Sequence, residues 1–422
     1  MVTPLLAPHA GVPALVTSVS SFELAIADIL SGSGPIAIDA ERASGYRYSQ
    51  RAYLIQIKRK DGGLHLLDPI AIGPTDLWSQ LSDSLADQEW IIHASTQDLP
   101  CLRELGIEPK ILFDTELGGR IAGCERVGLG PLAESLLEIS LAKEHSAVDW
   151  SLRPLRAEWL NYAALDVEIL IELRDAVAIK LLEQGKLHWA MEDFNSIIHA
   201  PLSQPKKDPW RRTSGMHKIR DRQTLAIIRE LWVARDEYAK RIDLSPGRVF
   251  NDEALVEIAT KRPKSVTDLA KIVARRSRVE NPPVEKWHQI LTDVLTWTND
   301  RFPELRTPST GLPPIKLWRD KNPLAFARLS HARASVLEIS DDLAIPAENL
   351  ISPEFVRRIC WNDPIATEPV ALRSEIHQGL LQLGARSWQI DQILEALVAA
   401  VQQTEPLPAK PEEEPESSLE EA

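Results

Sequence analysis

The sequence predicts an α/β domain, in which a mixed β-sheet is flanked by helices, followed by two small all-α helical domains. Three observations lead to this prediction. Short runs of alternating apolar residues are interleaved with helical patterns up to about Lys186. A segment rich in Pro, Lys, Arg and Ser then interrupts the pattern at residues 200–217. Beyond that segment, a unit made of a helix, a Pro-containing loop and a second helix occurs twice.

The α/β domain is predicted to begin with a helix and three strands. Ser20 and Glu23 fit a capping box at the start of a helix that the segment 31–35, SGSGP, would end. Asp61 and Gly62 indicate a hairpin turn between the second and third strands. The three strands are predicted by alternating apolar residues at 36–40, 53–58 and 64–68.

Helices and strands then alternate along the rest of this domain. A helical pattern at 75–86 precedes a strand at 90–94, and a second helix at 95–105 precedes a short strand at 111–114. Further helices are expected up to about Lys186. Strands first and interleaved helices afterwards favour a sheet of mixed direction with helices packed against it.

Changes in composition divide the chain into five segments. The second helical unit, residues 332–359, repeats the first, residues 234–259, with Pro346 in the place of Pro246. Asp252 is expected to cap the last helix of the first unit, and Ser352 that of the second. The predicted segments are an α/β domain at 1–199, a linker at 200–217, helical domains at 218–300 and 310–403, and a disordered acidic tail at 404–422.

Composition limits the classes of protein that the chain can represent. With 44% hydrophobic and 26% charged residues, it is an ordinary globular sequence. Its three cysteines are too few for a disulfide framework, the N-terminal segment lacks a basic region, and no long apolar run is present. We therefore expect a cytoplasmic protein with no membrane association.

The net charge of −13 is unevenly distributed along the chain. Residues 405–422 contain seven Glu and one Lys, so the tail supplies nearly half of the negative excess. Elsewhere, Lys and Arg cluster at 206–222 and at 261–278. Such clusters can contact phosphates, although solvated helix faces would have the same composition.

Acidic residues from three separate segments are predicted to form one site. Asp39 and Glu41 lie two apart in a strand and therefore share a face of the sheet. Tyr162 and Asp166 lie four apart in a helical pattern and share a helical face, and Asp98 follows the strand at 90–94. Four carboxylates at one place would repel each other unless divalent cations neutralise them. The pattern therefore predicts a two-metal site.

At these positions the chain resembles the ribonuclease D family of 3′-to-5′ exonucleases. The resemblance covers roughly residues 15–190. Its three motifs are Asp39-Ala40-Glu41, followed by Arg47, Tyr48 and Gln56; His93-Ala94 with Asp98; and Tyr162-Ala163-Ala164-Leu165-Asp166. A single DxE pair would be weak evidence, whereas three motifs in this order are strong evidence. The two helical units resemble the domain shared by RecQ-type helicases and ribonuclease D, the HRDC domain.

The resemblance implies a ribonuclease H-like exonuclease domain and a set of roles for its residues. Asp39, Glu41 and Asp166 would hold one Mg²⁺ or Mn²⁺ ion that activates the attacking water. Asp39 and, through water, Asp98 would hold a second ion at the leaving oxygen. Tyr162 would orient the water, and nucleoside 5′-monophosphates would be released from RNA with a free 3′ end, such as tRNA precursors or other structured RNA.

Other polar residues near these motifs are candidates for substrate binding, namely Arg47, Tyr48, Gln56 and His93. The segment 42–51 mixes Arg and Tyr and could stack a base and contact phosphate. His93 could equally be a hydrogen-bonded packing residue, since Tyr162 makes a histidine base unnecessary. Asp114 is a rival carboxylate, which we interpret as a helix cap or turn former.

Two alternatives remain open from the sequence. The first is a DNA-directed 3′-to-5′ exonuclease, because a metal site does not distinguish the two sugars. The second is a non-catalytic RNA-binding protein on a nuclease fold, which the complete set of five acidic and tyrosine residues disfavours. The helical units could bind nucleic acid or serve as packing modules. The sequence indicates no particular protein partner.

Overall fold

A computed structural model describes residues 2–141, 148–201, 206–306, 311–366, 368–403 and 405–406. The predicted acidic tail lies almost entirely outside the described residues, as do residues 202–205 of the predicted linker. The chain forms two compact units. The first comprises residues 1–119 and 126–307, and the second comprises residues 120–125 and 308–422. The α/β domain and the first helical bundle therefore belong to one unit.

A mixed β-sheet of six strands forms the centre of the α/β domain, as the sequence predicts. The strands of the domain are β1 (Thr3–Leu5), β2 (Leu15–Val16), β3 (Ser33–Arg42), β4 (Ala52–Lys60), β5 (Gly63–Leu67), β6 (Glu89–Ile92), β7 (Ile111–Asp114) and β8 (Ile139–Leu141). The strand order in the six-stranded sheet is β2-β5-β4-β3-β6-β7. The pairs β3–β4 and β4–β5 are antiparallel, and the other pairs in this sheet are parallel. Strands β1 and β8 form a separate parallel pair.

Alternation along β3 separates a core face from a polar face. Ile36 and Ile38 are buried on one side of the strand, and Asp39 follows on the other. The antiparallel register places Asp39 opposite Gln56 and Glu41 opposite Leu54. The strand that carries both acidic residues is thus held between two neighbours, β4 and β6.

Nine helices surround this sheet among the described residues. They are α1 (Val19–Ser31), α2 (Pro69–Ile72), α3 (Leu77–Ser84), α4 (Leu99–Arg103), α5 (Thr115–Ile121), α6 (Leu129–Leu137), α7 (Ala157–Glu168), α8 (Leu170–Glu183) and α9 (Leu187–Ile198). Helix α7 packs against β3, β4 and β5. The first helix begins earlier than predicted, because Ser18, not Ser20, is its N-cap and forms a capping box with Ser21.

The first helical bundle follows two short 3₁₀ helices. Pro209–Arg212 lies inside the predicted linker, and Met216–Lys218 ends one residue beyond it. The bundle consists of α10 (Arg222–Arg241), α11 (Pro246–Val249), α12 (Asp252–Lys261), α13 (Val266–Ala274) and α14 (Val284–Leu295). Phe250 and Trp287 pack edge to face in its core. The predicted cap of α12 was one residue off: Asn251 accepts from the Ala254 amide, while Asp252 pairs with the buried Arg235.

The second unit contains the other helical bundle and repeats the element order of the first. Its helices are α15 (Trp318–Lys321), α16 (Pro323–Leu343), α17 (Ala347–Leu350), α18 (Pro353–Trp361), α19 (Pro369–Leu383) and α20 (Ser387–Val401). Helices α16, α17 and α18 correspond to α10, α11 and α12. Ser352 occupies the N-cap position of α18 as predicted, but its side chain makes no capping hydrogen bond. Helices long and apolar enough to span a bilayer are absent from the described part of the chain.

Candidate active site

Three carboxylates from a strand and a helix converge at one place. Strand β3 presents Asp39 and Glu41 on the same face, and the packing of α7 against β3 brings Asp166 to that face. One carboxylate oxygen from each of these three residues lies within 4.8 Å of the others. The predicted convergence of Asp166 with the strand pair is therefore present in the structure.

The shared environment disfavours negative charge on all three groups. Burial is the largest cause that raises the pKa of Asp39, and the charge of Arg42 opposes it only in part. Burial also raises the pKa of Glu41 well above its ordinary value, and the charges of Asp39 and Asp166 add to the effect. The pKa of Asp166 is raised well above its ordinary value by burial and by Asp39. If all three carboxyl groups are ionised, their combined negative charge requires a bound cation.

Asp98 lies close to this cluster but is not one of its three close ligand atoms. It occupies the N-cap position of α4 without forming a capping hydrogen bond, and only 5% of the residue is exposed. Its carboxylate Oδ1 lies 3.4 Å from Nη2 of Arg42. Burial, followed by the charge of Asp39, raises the pKa of Asp98 to about 8. Asp98 is thus free of any helix-capping task and is electrostatically linked to Asp39.

Tyr162 lies one helical turn before Asp166 and shares its hydrogen-bonding environment. Burial raises the pKa of Tyr162 far above its ordinary value, and the charges of Asp166 and Glu41 raise it further. A hydrogen bond joins the Tyr162 side chain to that of Asp166. The phenol therefore stays protonated near neutral pH and acts as a hydrogen-bond donor and acceptor, not as a base.

The donor set fits a hard divalent cation. It consists of carboxylate oxygens alone, which Mg²⁺ and Mn²⁺ prefer over the nitrogen and sulfur ligands typical of Zn²⁺. Raised pKa values in all three carboxyl groups show the charge imbalance that a dication would remove. The residues present therefore fit a site for a divalent metal ion.

Two of the predicted substrate-binding residues are either buried or engaged in contacts with the first helical bundle. Gln56 is fully buried in β4 under α7, so its side chain does not line a surface that substrate could reach. The Tyr48 hydroxyl donates to Asp236 of α10 at 2.9 Å, and its ring packs against the core of the first helical bundle. Tyr48 therefore joins the two domains, since its ring and hydroxyl are both engaged by the bundle.

The other two predicted residues, Arg47 and His93, are held by side-chain hydrogen bonds. Nε of Arg47 donates to Oγ of Ser151 at 2.7 Å, and the guanidinium is only half-buried. Nδ1 of His93 lies 2.9 Å from Oγ1 of Thr115. Burial lowers the pKa of His93, so its ring is neutral near pH 7. His93 therefore has the features of a hydrogen-bonded packing residue, which is one of the two roles that the sequence left open.

Asp114 has a larger structural role than the sequence revealed. Its Oδ2 accepts from the Ser95 amide at 2.8 Å and from the Ser95 hydroxyl at 2.7 Å, while Oδ1 accepts from the Ala94, Glu116 and Leu117 amides. One carboxylate thus caps α5 and also fixes the turn that leads to Asp98. The signal for this role was present only as an acidic residue at a strand end followed by a helical pattern.

The chain matches known protein families in three segments. Residues 15–181 match the model described as 3′-5′ exonuclease, residues 224–288 match the HRDC domain, and residues 311–401 match the model described as 3′ to 5′ exonuclease C-terminal domain. Fold, site and this match together identify residues 15–181 as a domain of the 3′-5′ exonuclease class. More specifically, the chain is similar to proteins named ribonuclease D.

Individual relatives and solved structures are similar to much of this chain. Ribonuclease D of Bartonella henselae is 28% identical over 61% of this chain, and the match spans 63% of that protein. The chain thus aligns with less than two thirds of the length of this curated relative. A protein of solved structure from Bifidobacterium adolescentis is 34% identical, with a TM-score of 0.84 over 96% of this chain and 100% of that one. Escherichia coli RNase D, 22% identical, shares the fold with a TM-score of 0.61 over 88% of this chain and 99% of its own.

Proposed function

We propose that this chain is a metal-dependent 3′-to-5′ exoribonuclease that releases nucleoside 5′-monophosphates. The observation that carries the proposal is the convergence of Asp39, Glu41 and Asp166 within 4.8 Å, beside a protonated Tyr162. Similarity to ribonuclease D proteins supports RNA as the substrate, and the HRDC domain supports contact with nucleic acid.

Two Mg²⁺ or Mn²⁺ ions, held by Asp39, Glu41, Asp166 and, through water, Asp98, would stabilise the charge that develops on the attacking and leaving oxygens. Tyr162 has the task of orienting the attacking water, because its hydroxyl stays protonated and is fixed by Asp166. Arg42 holds Asp98 in place through their ion pair. The side chains of the protein therefore position the attacking water and Asp98, and burial shields the carboxylates from bulk water.

The substrates that fit this proposal are RNA molecules with an unpaired 3′ end, including precursors of tRNA and other structured RNA. The proposal places the activity in the cytoplasm, which agrees with a cysteine content too low for a disulfide framework. A 3′ extension would be shortened stepwise, and paired structure would stop the reaction where a single strand no longer reaches the carboxylates.

The proposal is tested by digesting 5′-labelled RNA and DNA oligomers of one sequence with Mg²⁺, Mn²⁺ or chelator. We expect a ladder of products shortened from the 3′ end, faster on RNA and absent in chelator. Asp166→Asn should eliminate the ladder, whereas Asp87→Asn, an exposed carboxylate outside the site, should leave it unchanged. Faster digestion of DNA would indicate the DNA-directed alternative. Binding without shortening would indicate a non-catalytic RNA-binding protein.

A further inference from the structure

The first helical bundle contacts the exonuclease domain next to the acidic cluster. The contact is made by the β3–β4 loop, residues 43–51, which directly follows Glu41 and Arg42. The amide of Ser245 donates to the Tyr46 carbonyl at 3.0 Å, and Oγ of Ser245 donates to the Gly45 carbonyl at 2.9 Å. The loop that leaves the acidic strand is thus bound by residues about 200 positions later in the chain.

Arg248 of α11 lies directly on this loop. Its Nε donates to the Gly45 carbonyl at 2.8 Å, and its guanidinium stacks over the Tyr46 ring at 4.1 Å from the ring centre. Tyr46 packs on the same apolar cluster as Tyr162. The stacked pair therefore borders the apolar cluster against which Tyr162 also packs.

The position of Arg248 is fixed, but the charge of its guanidinium is not neutralised. One nitrogen and one ring face hold the group, and among the described residues it forms no ion pair with a carboxylate. By contrast, Arg51 on the same loop pairs with Asp243. Arg47 resembles Arg248, because its Nε is bound by Ser151 and no described carboxylate pairs with it.

A guanidinium held through Nε presents its two terminal nitrogens as a pre-organised fork, which matches the oxygens of a phosphate. Such a fork is suited to this location, because the nearby carboxylates repel the anionic backbone of an approaching strand. A lysine would supply the charge without the fork or the stacking surface.

From this geometry we infer that Arg248 binds a backbone phosphate of single-stranded RNA upstream of the scissile bond, so that the first helical bundle completes the substrate path of the exonuclease domain. The inference deepens the proposed function and rests on it for the identity of the nucleic acid.

The test compares Arg248→Ala with two matched variants. Arg241→Ala removes the same charge from an arginine that stacks over Tyr238 in the same bundle and that forms no hydrogen bond or ion pair with the loop among the described residues. Ser245→Ala removes a neighbouring hydrogen bond to Gly45 without changing charge. Dissociation constants for fluorescent RNA oligomers are measured in chelator, so that hydrolysis plays no part, and over a range of salt concentrations.

Arg248→Ala should weaken binding of a long oligomer about tenfold and reduce the salt slope by about 0.7, the value expected for one phosphate contact on a single strand. Arg248→Lys should lose part of this affinity. In Mg²⁺, KM should rise for the long oligomer with little change in kcat, whereas a dinucleotide with one phosphodiester should be unaffected.

Equal effects of Arg248→Ala and Arg241→Ala would overturn the inference, because the charge would then act at long range. Equal effects of Arg248→Ala and Ser245→Ala would also overturn it, because the arginine would then only hold the domains together. Wild-type protein that binds RNA but never shortens it would refute the proposed function, while the binding comparison would still decide the role of Arg248.

Discussion

Gln56 lies directly opposite Asp39 on the neighbouring strand, fully buried and without a hydrogen-bond partner for either atom of its amide. Side chains of such a cross-strand pair point to the same face, with Cβ atoms about 5 Å apart. A buried amide without partners costs about 1–3 kcal/mol. The Gln56 amide thus lies next to the Asp39 carboxylate and lowers the stability of the fold. An apolar side chain would fill the same space without this cost, so packing alone does not explain a glutamine here.

Replacing Gln56 with Leu should separate stability from metal affinity. The free energy of unfolding in chelator should stay constant or rise by about 1 kcal/mol, because an unsatisfied amide is removed. The Mg²⁺ concentration needed for half-maximal activity should rise by roughly 10-fold or more, because we expect the unpartnered amide to hydrogen-bond the Asp39 carboxylate or a metal-bound water once the ion is in place. Thermal unfolding in chelator and Mg²⁺ titration of the rate measure the two effects. A destabilised variant with an unchanged Mg²⁺ requirement would show that Gln56 serves only as packing.

Replacing Asp39 with Asn should eliminate activity without lowering the melting temperature in chelator. Burial and the neighbouring carboxylates make the ionised form of Asp39 unfavourable in the folded protein, and an amide does not carry this charge. We expect a melting temperature that is unchanged or higher, together with a loss of the stabilisation that Mg²⁺ gives the wild type. Clear destabilisation in chelator, relative to the surface variant Asp87→Asn, would contradict this account.

The metal-free protein should become less stable as the pH rises. The carboxyl groups of Asp39, Glu41, Asp98 and Asp166 have raised pKa values in the folded chain. Such groups bind protons more tightly when folded, so their contribution is fully present below the unfolded pKa and is lost as the pH passes the folded pKa. For Asp98 this window runs from about 3.8, the ordinary pKa of an aspartate, to about 8. Melting temperatures in chelator should fall across this window, and Mg²⁺ should reduce the fall. Asp98→Asn should remove part of the slope near pH 8.

Replacing Tyr162 with Phe should slow hydrolysis by roughly 10²-fold while RNA affinity stays nearly constant. The hydroxyl is held by Asp166 and stays protonated, so its loss removes a group that orients water but leaves the ring in its apolar surroundings. Single-turnover rates at saturating RNA and dissociation constants in chelator separate the two quantities. Tyr53→Phe, which removes a hydroxyl from the same apolar cluster, is the matched control. Equal losses of rate and affinity would mean that Tyr162 acts through substrate binding alone.

Local patterns in the sequence were sufficient to predict the elements that carry the acidic residues. Spacings of two and four place Asp39 with Glu41 and Tyr162 with Asp166, because strand and helix periodicities depend on the backbone alone. Such patterns could not predict contacts between residues that are far apart in the sequence. Helix α7, about 100 residues later, packs against the strand that carries the buried Gln56, and the Tyr48 hydroxyl donates to Asp236 at a separation of 188 residues. Long-range packing of this kind leaves no periodic signal in the β3–β4 loop or in strand β4.

The hydrogen bonds of Asp114 lead to a final prediction about Asp98. Asp114 fixes the amides of Ala94 and Ser95, and Ala94 has a positive φ of 57°, which the surrounding hydrogen bonds must maintain. The Asp98 amide in turn donates to the Ser95 carbonyl at 3.1 Å. The turn at 94–98 is thus organised by a carboxylate that does not belong to the group of close ligand atoms.

Replacing Asp114 with Asn should therefore lower both stability and rate, because an amide nitrogen in place of Oδ2 cannot accept the two hydrogen bonds from Ser95. We expect a loss of about 2 kcal/mol in the free energy of unfolding. The effect on rate should act through Asp98, so adding Asp114→Asn to Asp98→Asn should cost stability but little further activity. Unfolding curves and hydrolysis rates for the two single variants and the double variant provide the cycle. If the two losses of activity multiply, Asp114 affects catalysis by a route independent of Asp98, since a shared route cannot be lost twice.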